Sequence, residues 1–346
     1  MNRPLDLYDI QGNICKGYGR FGFPKARYFF LEFHDYAGGR NFLQQLIPLI
    51  TTAEPWSEKK HPDQSDKPAA TTNIAFTYHG LCALGLPRRS LDGFPQEFKM
   101  GMKPRAAILG DNGPSSPQHW DPVWQGDTVH AWVSINGQTQ EAVEQRFAQI
   151  EELMQNVQGS VSIRPGHKGP NGSLLPYQDA SAVFENGKAT PKEHFGFVDG
   201  IGNPYFEGCG HDPERLPGRG KLNRDGKWEP LATGEFILGH VDEAKEYPLA
   251  PEPHLLARNG TFMVYRKLHE NVKTFNDYVD NMAKDFNGSR ELLMAKFSGR
   301  WPDNGAPLVL APDDKAKAEL DQKMAELQKK AAEGDACAIG QLKALE

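Results

Sequence analysis

The sequence lacks the features that define several classes of protein. It has only four cysteines in 346 residues, and no two of them form a Cys-x-x-Cys pair. We therefore expect reduced thiols at Cys15, Cys82, Cys209 and Cys337, and neither a disulfide framework nor a zinc site. No His-x-x-x-His pair, Asp-rich calcium loop or Gly-x-x-x-x-Gly-Lys-Ser/Thr loop occurs, so zinc, calcium and nucleotide hydrolysis have little support.

Basic clusters and long apolar runs are also missing. The net charge is −6, from 39 basic and 45 acidic residues, and this balance predicts no nucleic-acid partner. No apolar run is long enough to cross a bilayer, so no membrane partner is predicted. The first 13 residues, MNRPLDLYDIQGN, lack the apolar core of a signal peptide, and we expect a cytoplasmic location.

The N-terminal half shows alternating strand and helix patterns. Apolar periodicity and β-branched or aromatic runs predict strand, helix, strand, strand, helix and strand, at 26–33, 41–47, 72–78, 129–135, 139–154 and 160–163. Thr139 is the predicted N-cap of the second helix. This order is the split βαβ, or ferredoxin-like, arrangement, with a first domain at 1–165. The irregular stretch at 85–126 is long enough to be a functional loop or a cover.

The C-terminal half shows a less complete pattern. Strands are predicted at 235–239 and 260–268 and a helix at 271–283, within a second domain at 166–312. Residues 313–346 form a charged tail, either a solvated helix or disordered. The fold class is therefore α+β, with tandem ferredoxin-like halves of antiparallel sheet and an incomplete second half. An open sheet edge invites pairing with another copy, so a homo-oligomer is expected.

One stretch, residues 194–204, carries the best candidate for chemistry. Asp199 is a single carboxylate beside Phe197, Val198 and Ile201, between glycines that allow close approach of the backbone to a flat partner, Gly196, Gly200 and Gly202. A carboxyl group in such surroundings loses solvation, and desolvated carboxyl groups serve as general acids and bases. The alternative is a structural one, because Asp-Gly is a common turn pair.

This stretch resembles the Gly-x-x-Asp-Gly motif of the dye-decolourising peroxidases. Further blocks resemble the longer members of that family in the same order, at residues 9–14, 26–31, 234–239, 258–268 and 296–301. The resemblance implies two ferredoxin-like halves with haem b in the second, hydrogen peroxide as oxidant, and phenols or dyes as electron donors. By the same resemblance Asp199 is the distal acid–base. The residues expected to bind the cofactor are Gly196, Phe197, Val198, Gly200, Ile201 and Asn203.

The iron ligand is not found in the sequence. In the longer relatives the proximal histidine and the distal arginine follow the block matched here by residues 299–302, and this chain has no histidine after His269. The chain is therefore expected to end before both residues, and the metal ligand stays unknown. His240, His254 and His269 are expected in loops or at the surface, and His194 lies too near Asp199 to be an obvious ligand on the opposite face.

Three cationic side chains are candidates for contact with haem. Arg258 begins a predicted strand and is expected to be structural. Arg266 and Lys267 either meet haem propionates through charge-assisted hydrogen bonds or lie on a solvated strand end, and neither is assigned.

Two functions remain open from the sequence. The first is a haem-dependent peroxidase that oxidises phenolic or dye-like donors. The second is a non-catalytic truncated or split relative that acts as a scaffold, an assembly piece or a weak porphyrin binder. Under the second, a complementing C-terminal chain is a candidate partner.

Overall fold

The computed structural model describes residues 5–56, 66–199, 203–210 and 216–345. The chain packs as two units, residues 1–181 with 202–264 and residues 182–201 with 265–346. The domain boundaries at 165 and 312 stay a prediction. Among the described helices, none is long and apolar enough to cross a membrane.

The first unit is built on one antiparallel sheet. Its strands are β1 (Lys25–Phe33), β2 (Ala70–Phe76), β3 (Ala131–Gly137), β4 (Val161–Ile163) and β5 (Gln178–Ser181). The order is β2-β3-β1-β4, the interleaved order of a ferredoxin-like sheet, and β5 also pairs with β1. On that edge β4 pairs with residues 31–33 of β1 and β5 pairs with residues 25–28. The α+β class and the ferredoxin-like arrangement are confirmed.

Two long helices cover one face of this sheet. They are α1 (Tyr36–Leu46) and α2 (Gln140–Gln155), and Thr139 caps α2 as expected by accepting a 3.2 Å hydrogen bond from the amide of Ala142. Alternate side chains of β1 point toward the helices, since successive residues of a strand face opposite sides. The core between the layers includes Phe29, Leu31, Phe33, Phe42, Val133, Ile135, Phe147 and Ile150.

Helix α1 begins five residues earlier than its apolar spacing predicts. The Asp35 side chain caps it by accepting a 2.7 Å hydrogen bond from the amide of Gly38. A Cβ at Gly38 would lie 2.1 Å from the Ser160 side chain, so only glycine lets the helix approach this closely. Gly38, which weakens the helical pattern in the sequence, is therefore needed for the packing of α1 against Ser160.

The loop at 85–126 covers part of the opposite face. It contains three short helices, Arg88–Asp92, Gln96–Met100 and Ala106–Leu109. Trp124 packs edge-on against Phe30 of β1, with ring centroids 4.5 Å apart, and His167 stacks on the same ring at 4.9 Å. The prediction of a cover is therefore confirmed for this face of the sheet.

The predicted strands at 235–239 and 260–268 are wrong. Residues 233–235 form a 3₁₀ turn, and Ile237 is fully buried in the loop that follows it. Residues 260–268 join no strand ladder within the described parts of the chain. Short apolar runs do not distinguish strands from buried turns, and a strand pattern without a neighbouring strand gives no sheet. Besides the 3₁₀ turn, residues 216–264 contain a hairpin, Lys221–Leu222 with Trp228–Glu229, and a one-turn helix, His254–Ala257.

The second unit is mainly helical. Its helices are α3 (Val272–Ala283), α4 (Arg290–Ser298), α5 (Asp314–Ala332) and α6 (Ala336–Leu345), with a two-residue strand pair, Phe184–Glu185 and Lys188–Ala189. The predicted helix at 271–283 is confirmed as α3. The charged tail is a helix that packs, because Lys317 of α5 is buried and pairs with Asp303 at 2.7 Å.

Arg27 of β1 is a charged residue buried in the sheet. It is only 1% exposed, although it carries a guanidinium. Its guanidinium makes paired hydrogen bonds with Asp179 of β5, at 2.7 and 3.0 Å, and with Glu144 of α2, at 2.9 and 2.8 Å. The same group lies 3.6 Å from the ring centroid of Tyr177. Arg27 therefore connects β1, β5 and α2 through one desolvated cation.

We predict that Arg27→Met lowers the free energy of unfolding by about 2 kcal/mol. This is less than the cost of breaking a fully buried pair, because Asp179 and Glu144 are about half exposed and can be hydrated. Urea unfolding monitored by circular dichroism measures the change. Arg88→Met is the matched control, since Arg88 is 92% exposed and pairs with Asp92 only at 3.8 Å. Equal unfolding midpoints for the two variants would contradict the role given to Arg27.

Candidate functional site

The segment before Asp199 forms a compact loop. Lys192 and Val198 make an antiparallel bridge at its base. Within the loop, the amide of Glu193 donates to the carbonyl of Phe197 at 2.9 Å, and the amide of Gly196 donates to the carbonyl of Glu193 at 3.0 Å. Gly196 has φ +98°, a conformation that side-chain-bearing residues rarely adopt. The turn itself therefore requires glycine at position 196.

The carboxylate of Glu193 braces this loop from within. One oxygen accepts a 2.8 Å hydrogen bond from the amide of Phe195, and the other accepts a 2.7 Å hydrogen bond from the amide of Phe197. Hydrogen bonds to an ionised group are about twice as strong as neutral ones. Sequence reasoning missed Glu193, because a carboxylate that caps amides two and four residues ahead leaves no periodic signal.

Asp199 is held by its backbone. Its amide donates to the carbonyl of Pro191 at 2.9 Å, and the amide of Val198 donates to the carbonyl of Pro302 at 3.1 Å. The side chain of Asp199 is exposed. The expectation of a desolvated carboxyl group is therefore wrong for this structure. Phe197, its apolar neighbour in sequence, packs instead on the cluster of Val279, Leu293 and Met294.

Aromatic rings from α3 and α4 support the loop. Phe275 contacts Phe195 edge-on at 5.0 Å and Phe197 at 6.3 Å, measured between ring centroids. The two helices are joined by Arg290, which donates to Asp280 at 2.6 Å and to Asn276 at 2.7 Å. Offset and edge-on ring contacts of this kind each contribute about 1 kcal/mol beyond burial. The turn before Asp199 is thus fixed both by hydrogen bonds and by packing.

An open cavity of about 630 Å³ lies in the same unit. Its lining residues combine two imidazoles, a guanidinium, a carboxylate and two apolar side chains: His194, His269, Arg266, Glu270, Leu268 and Val272. The structure thus brings together His194 and His269, which the sequence treated separately, and adds Arg266. Asp199 is not among the described residues that line this cavity.

The other candidates have separate positions. His240 is hydrogen-bonded through Nε2 to Oδ1 of Asn259 at 2.8 Å, and Asn259 donates to Asp9 at 2.7 Å. His254 begins the one-turn helix His254–Ala257, and Arg258 is the C-cap residue that follows it. The hydrogen bond to Asn259 gives His240 a structural role. His254 and Arg258 are not among the described residues that line the cavity.

The predicted cofactor-binding residues are only partly described. Gly200 and Ile201 lie outside the described residues. Gly196, Phe197 and Val198 belong to the braced loop, whereas Asn203 is an exposed residue of the first unit. Within the described parts of the chain, no group of three or more His, Cys, Asp or Glu side chains could hold a metal ion.

Comparison with known proteins identifies the family. Residues 9–167 match the sequence model of the DyP dimeric alpha+beta barrel domain. The chain is 31% identical over 314 residues to a dye-decolorizing peroxidase of Mycena epipterygia, covering 89% of this chain and 51% of that protein. It is 29% identical over 314 residues to Peroxidase 2 of Mycetinis scorodonius, covering 89% and 52%.

Solved structures agree with these sequence matches. An ancestral D-type dye decolorizing peroxidase superposes with a TM-score of 0.66 at 30% identity, covering 91% of this chain and 62% of that chain. A decolorizing peroxidase from Auricularia auricula-judae gives 0.66 at 26% identity, covering 89% and 59%. The chain belongs to the dye-decolorizing peroxidase family. It spans about half the length of the curated relatives it matches.

We predict that Glu193→Gln loosens the loop without unfolding the unit. A neutral amide offers one acceptor oxygen in place of two ionised ones, so at least one hydrogen bond to the loop is lost, at a cost of about 1.5 kcal/mol. Hydrogen exchange at the amides of Phe195 and Phe197 should become about tenfold faster. Glu185→Gln is the control, because Glu185 pairs with Lys192 at the same loop but is about half exposed. Unchanged protection in Glu193→Gln would show that the carboxylate does not brace the turn.

Proposed function

We propose that this chain carries part of the site of a haem-dependent peroxidase that uses hydrogen peroxide to oxidise phenolic or dye-like donors. Family membership supports the reaction class, since the named relatives are dye-decolorizing peroxidases. The observation that carries the proposal within the chain is the cavity with His194, His269 and Arg266, in the unit that also contains the Asp199 loop.

The residues of this cavity fit haem in their chemistry. Imidazole is a common protein ligand of haem iron, and cationic side chains would pair with the haem propionates. His194 and His269 supply imidazoles, and Arg266 supplies a guanidinium. When bound, haem supplies the redox chemistry of the reaction with peroxide.

In this proposal the chain's own residues position groups and move a proton. The carboxylate of Asp199 would take a proton from one oxygen of hydrogen peroxide and return it to the other, the work of a general acid–base. The Glu193 hydrogen bonds keep the preceding turn in one conformation, which reduces the cost of placing that carboxylate. Gly196, Phe197, Val198, Gly200, Ile201 and Asn203 stay predictions as cofactor-binding residues, and haem b stays the predicted cofactor.

The second candidate function is a non-catalytic scaffold, assembly piece or weak porphyrin binder. A specific observation favours it: Phe262, Met263 and Val264 follow a strand pattern, and they are 40%, 41% and 73% exposed. This stretch joins no strand ladder within the described residues. An exposed apolar segment with a strand-like sequence pattern is suited to pairing with a strand from a second chain. A complementing C-terminal chain or another copy is therefore the partner that this candidate requires.

The cytoplasmic location stays a prediction.

A haem titration separates the two candidates. We predict saturable binding of haem to the full chain, with a histidine-ligated ferric absorption spectrum, and loss of that spectrum in either His194→Ala or His269→Ala. His254→Ala is the control, because this histidine lies outside the cavity lining. Arg266→Met should weaken haem binding while keeping the ligation spectrum, since it removes a cation and no axial nitrogen.

Two results would decide against the peroxidase proposal. Absence of saturable binding would favour the scaffold function for this chain. Binding that is unchanged in both cavity histidine variants would exclude the cavity as the haem site.

A further inference from the structure

Two cysteines that are distant in sequence meet in the first unit. Cys15 ends the short helix Gly12–Cys15, and Cys209 follows the bridge residue Phe206. Both thiols are half-buried and pack against one apolar cluster, formed by Ile10, Ala53, Phe206 and Ile237. The two thiols also interact with each other, and this interaction is the largest influence on the pKa of each. The other two cysteines, Cys82 and Cys337, are exposed.

A fixed cation lies next to this pair. The ammonium of Lys16 interacts electrostatically with both thiols. It is held in place by a hydrogen bond to the carbonyl of Glu54 and by the Trp56 ring, whose centroid is 4.1 Å away. A nearby cation and a donated hydrogen bond both favour a thiolate over a thiol.

The two cysteines differ in their readiness to ionise. The hydrogen bond from Cys209 is the main cause that holds the pKa of Cys15 below its ordinary value, and Lys16 adds to this effect. The contact with Cys15 and burial raise the pKa of Cys209. Cys15 directly precedes the fixed ammonium of Lys16, so we take Cys15 as the nucleophile and Cys209 as the resolving thiol, the arrangement found in peroxide-sensitive thiol pairs.

We propose that Cys15 and Cys209 form a dithiol site that hydrogen peroxide oxidises to a disulfide. The Cys15 thiolate attacks one peroxide oxygen, the O–O bond breaks, and hydroxide leaves, which converts Cys15 to a sulfenic acid. The sulfur of Cys209 then attacks the sulfur of Cys15, the S–O bond breaks, and the sulfenic oxygen leaves as water with the Cys209 proton. The two thiols lose two electrons in total, and one peroxide becomes two waters once the hydroxide takes up the proton that Cys15 had released.

The geometry requires little movement for this step. A disulfide needs two sulfurs to approach to about 2.05 Å, and two cysteines that pack on the same apolar cluster can reach this distance by side-chain rotation. The bond would join the segment after Ile10 to the segment after Phe206 around the cluster on which both already pack. The reaction uses no haem, so it does not depend on the proposed peroxidase activity.

Peptide mapping of the full chain tests this proposal. The reduced protein is treated with one equivalent of hydrogen peroxide, alkylated, digested and analysed by mass spectrometry. We expect a cross-linked peptide pair containing Cys15 and Cys209, with Cys82 and Cys337 still alkylated. The Cys82→Ser, Cys337→Ser double variant should give the same cross-link in the same yield.

Single variants test the order of the two steps. In Cys209→Ser, oxidation should stop at a Cys15 sulfenic acid that dimedone captures, whereas Cys15→Ser should leave Cys209 unmodified. Lys16→Gln should slow the loss of the Cys15 thiol severalfold, because it removes the neighbouring cation. Oxidation of Cys82 or Cys337 in the wild-type chain with no Cys15–Cys209 cross-link would overturn the proposal, and so would four unmodified thiols in excess peroxide.

Discussion

Each of the two units depends on a buried cation that is shared by two carboxylates and covered by an aromatic ring. In the first unit Arg27 connects β1, β5 and α2 through Asp179 and Glu144, against the ring of Tyr177. In the second unit Lys317 of α5 pairs with Asp303 at 2.7 Å and Asp321 at 2.5 Å, with its ammonium 5.3 Å from the centroid of Trp301. Burial alone would lower the pKa of Lys317, but the two carboxylates outweigh it and the pKa is raised. Such cations lose their hydration on folding, so they are stable only where the surrounding elements supply every partner.

The N-terminal half could be predicted from the sequence because its signals are local and repeated. Strand β1 is an aromatic, apolar run, and α2 has a clear apolar period and a capping threonine. With the other four elements of this half they give the order of a ferredoxin-like sheet. The ends of the helices are harder to predict. Gly38 weakens the helical pattern at the start of α1, and it is needed because the helix packs closely against Ser160, a residue far away in sequence. The Asp199 motif was found for another reason, its resemblance to a family pattern.

The parts that could not be predicted depend on contacts between distant residues. Nothing in the sequence indicates that Cys15 and Cys209 meet, or that His194 and His269 line one cavity with Arg266. The strand pattern at 260–268 was misleading because a strand requires a neighbour, which local sequence does not show. The exposure of Asp199 has a related cause, since apolar neighbours along the chain need not surround a side chain in space.

We propose that the chain carries the acid–base group of a haem-dependent peroxidase, Asp199, on a loop braced by Glu193. The most direct test is stopped-flow mixing of the haem-loaded chain with hydrogen peroxide, comparing the wild type with Asp199→Asn. We predict equal haem affinity for both proteins and a second-order rate constant for the reaction with peroxide that falls by a factor of about 10² to 10⁴ in the variant. An unchanged rate in Asp199→Asn, with haem fully bound, would contradict the assignment of Asp199 as the proton-transfer group.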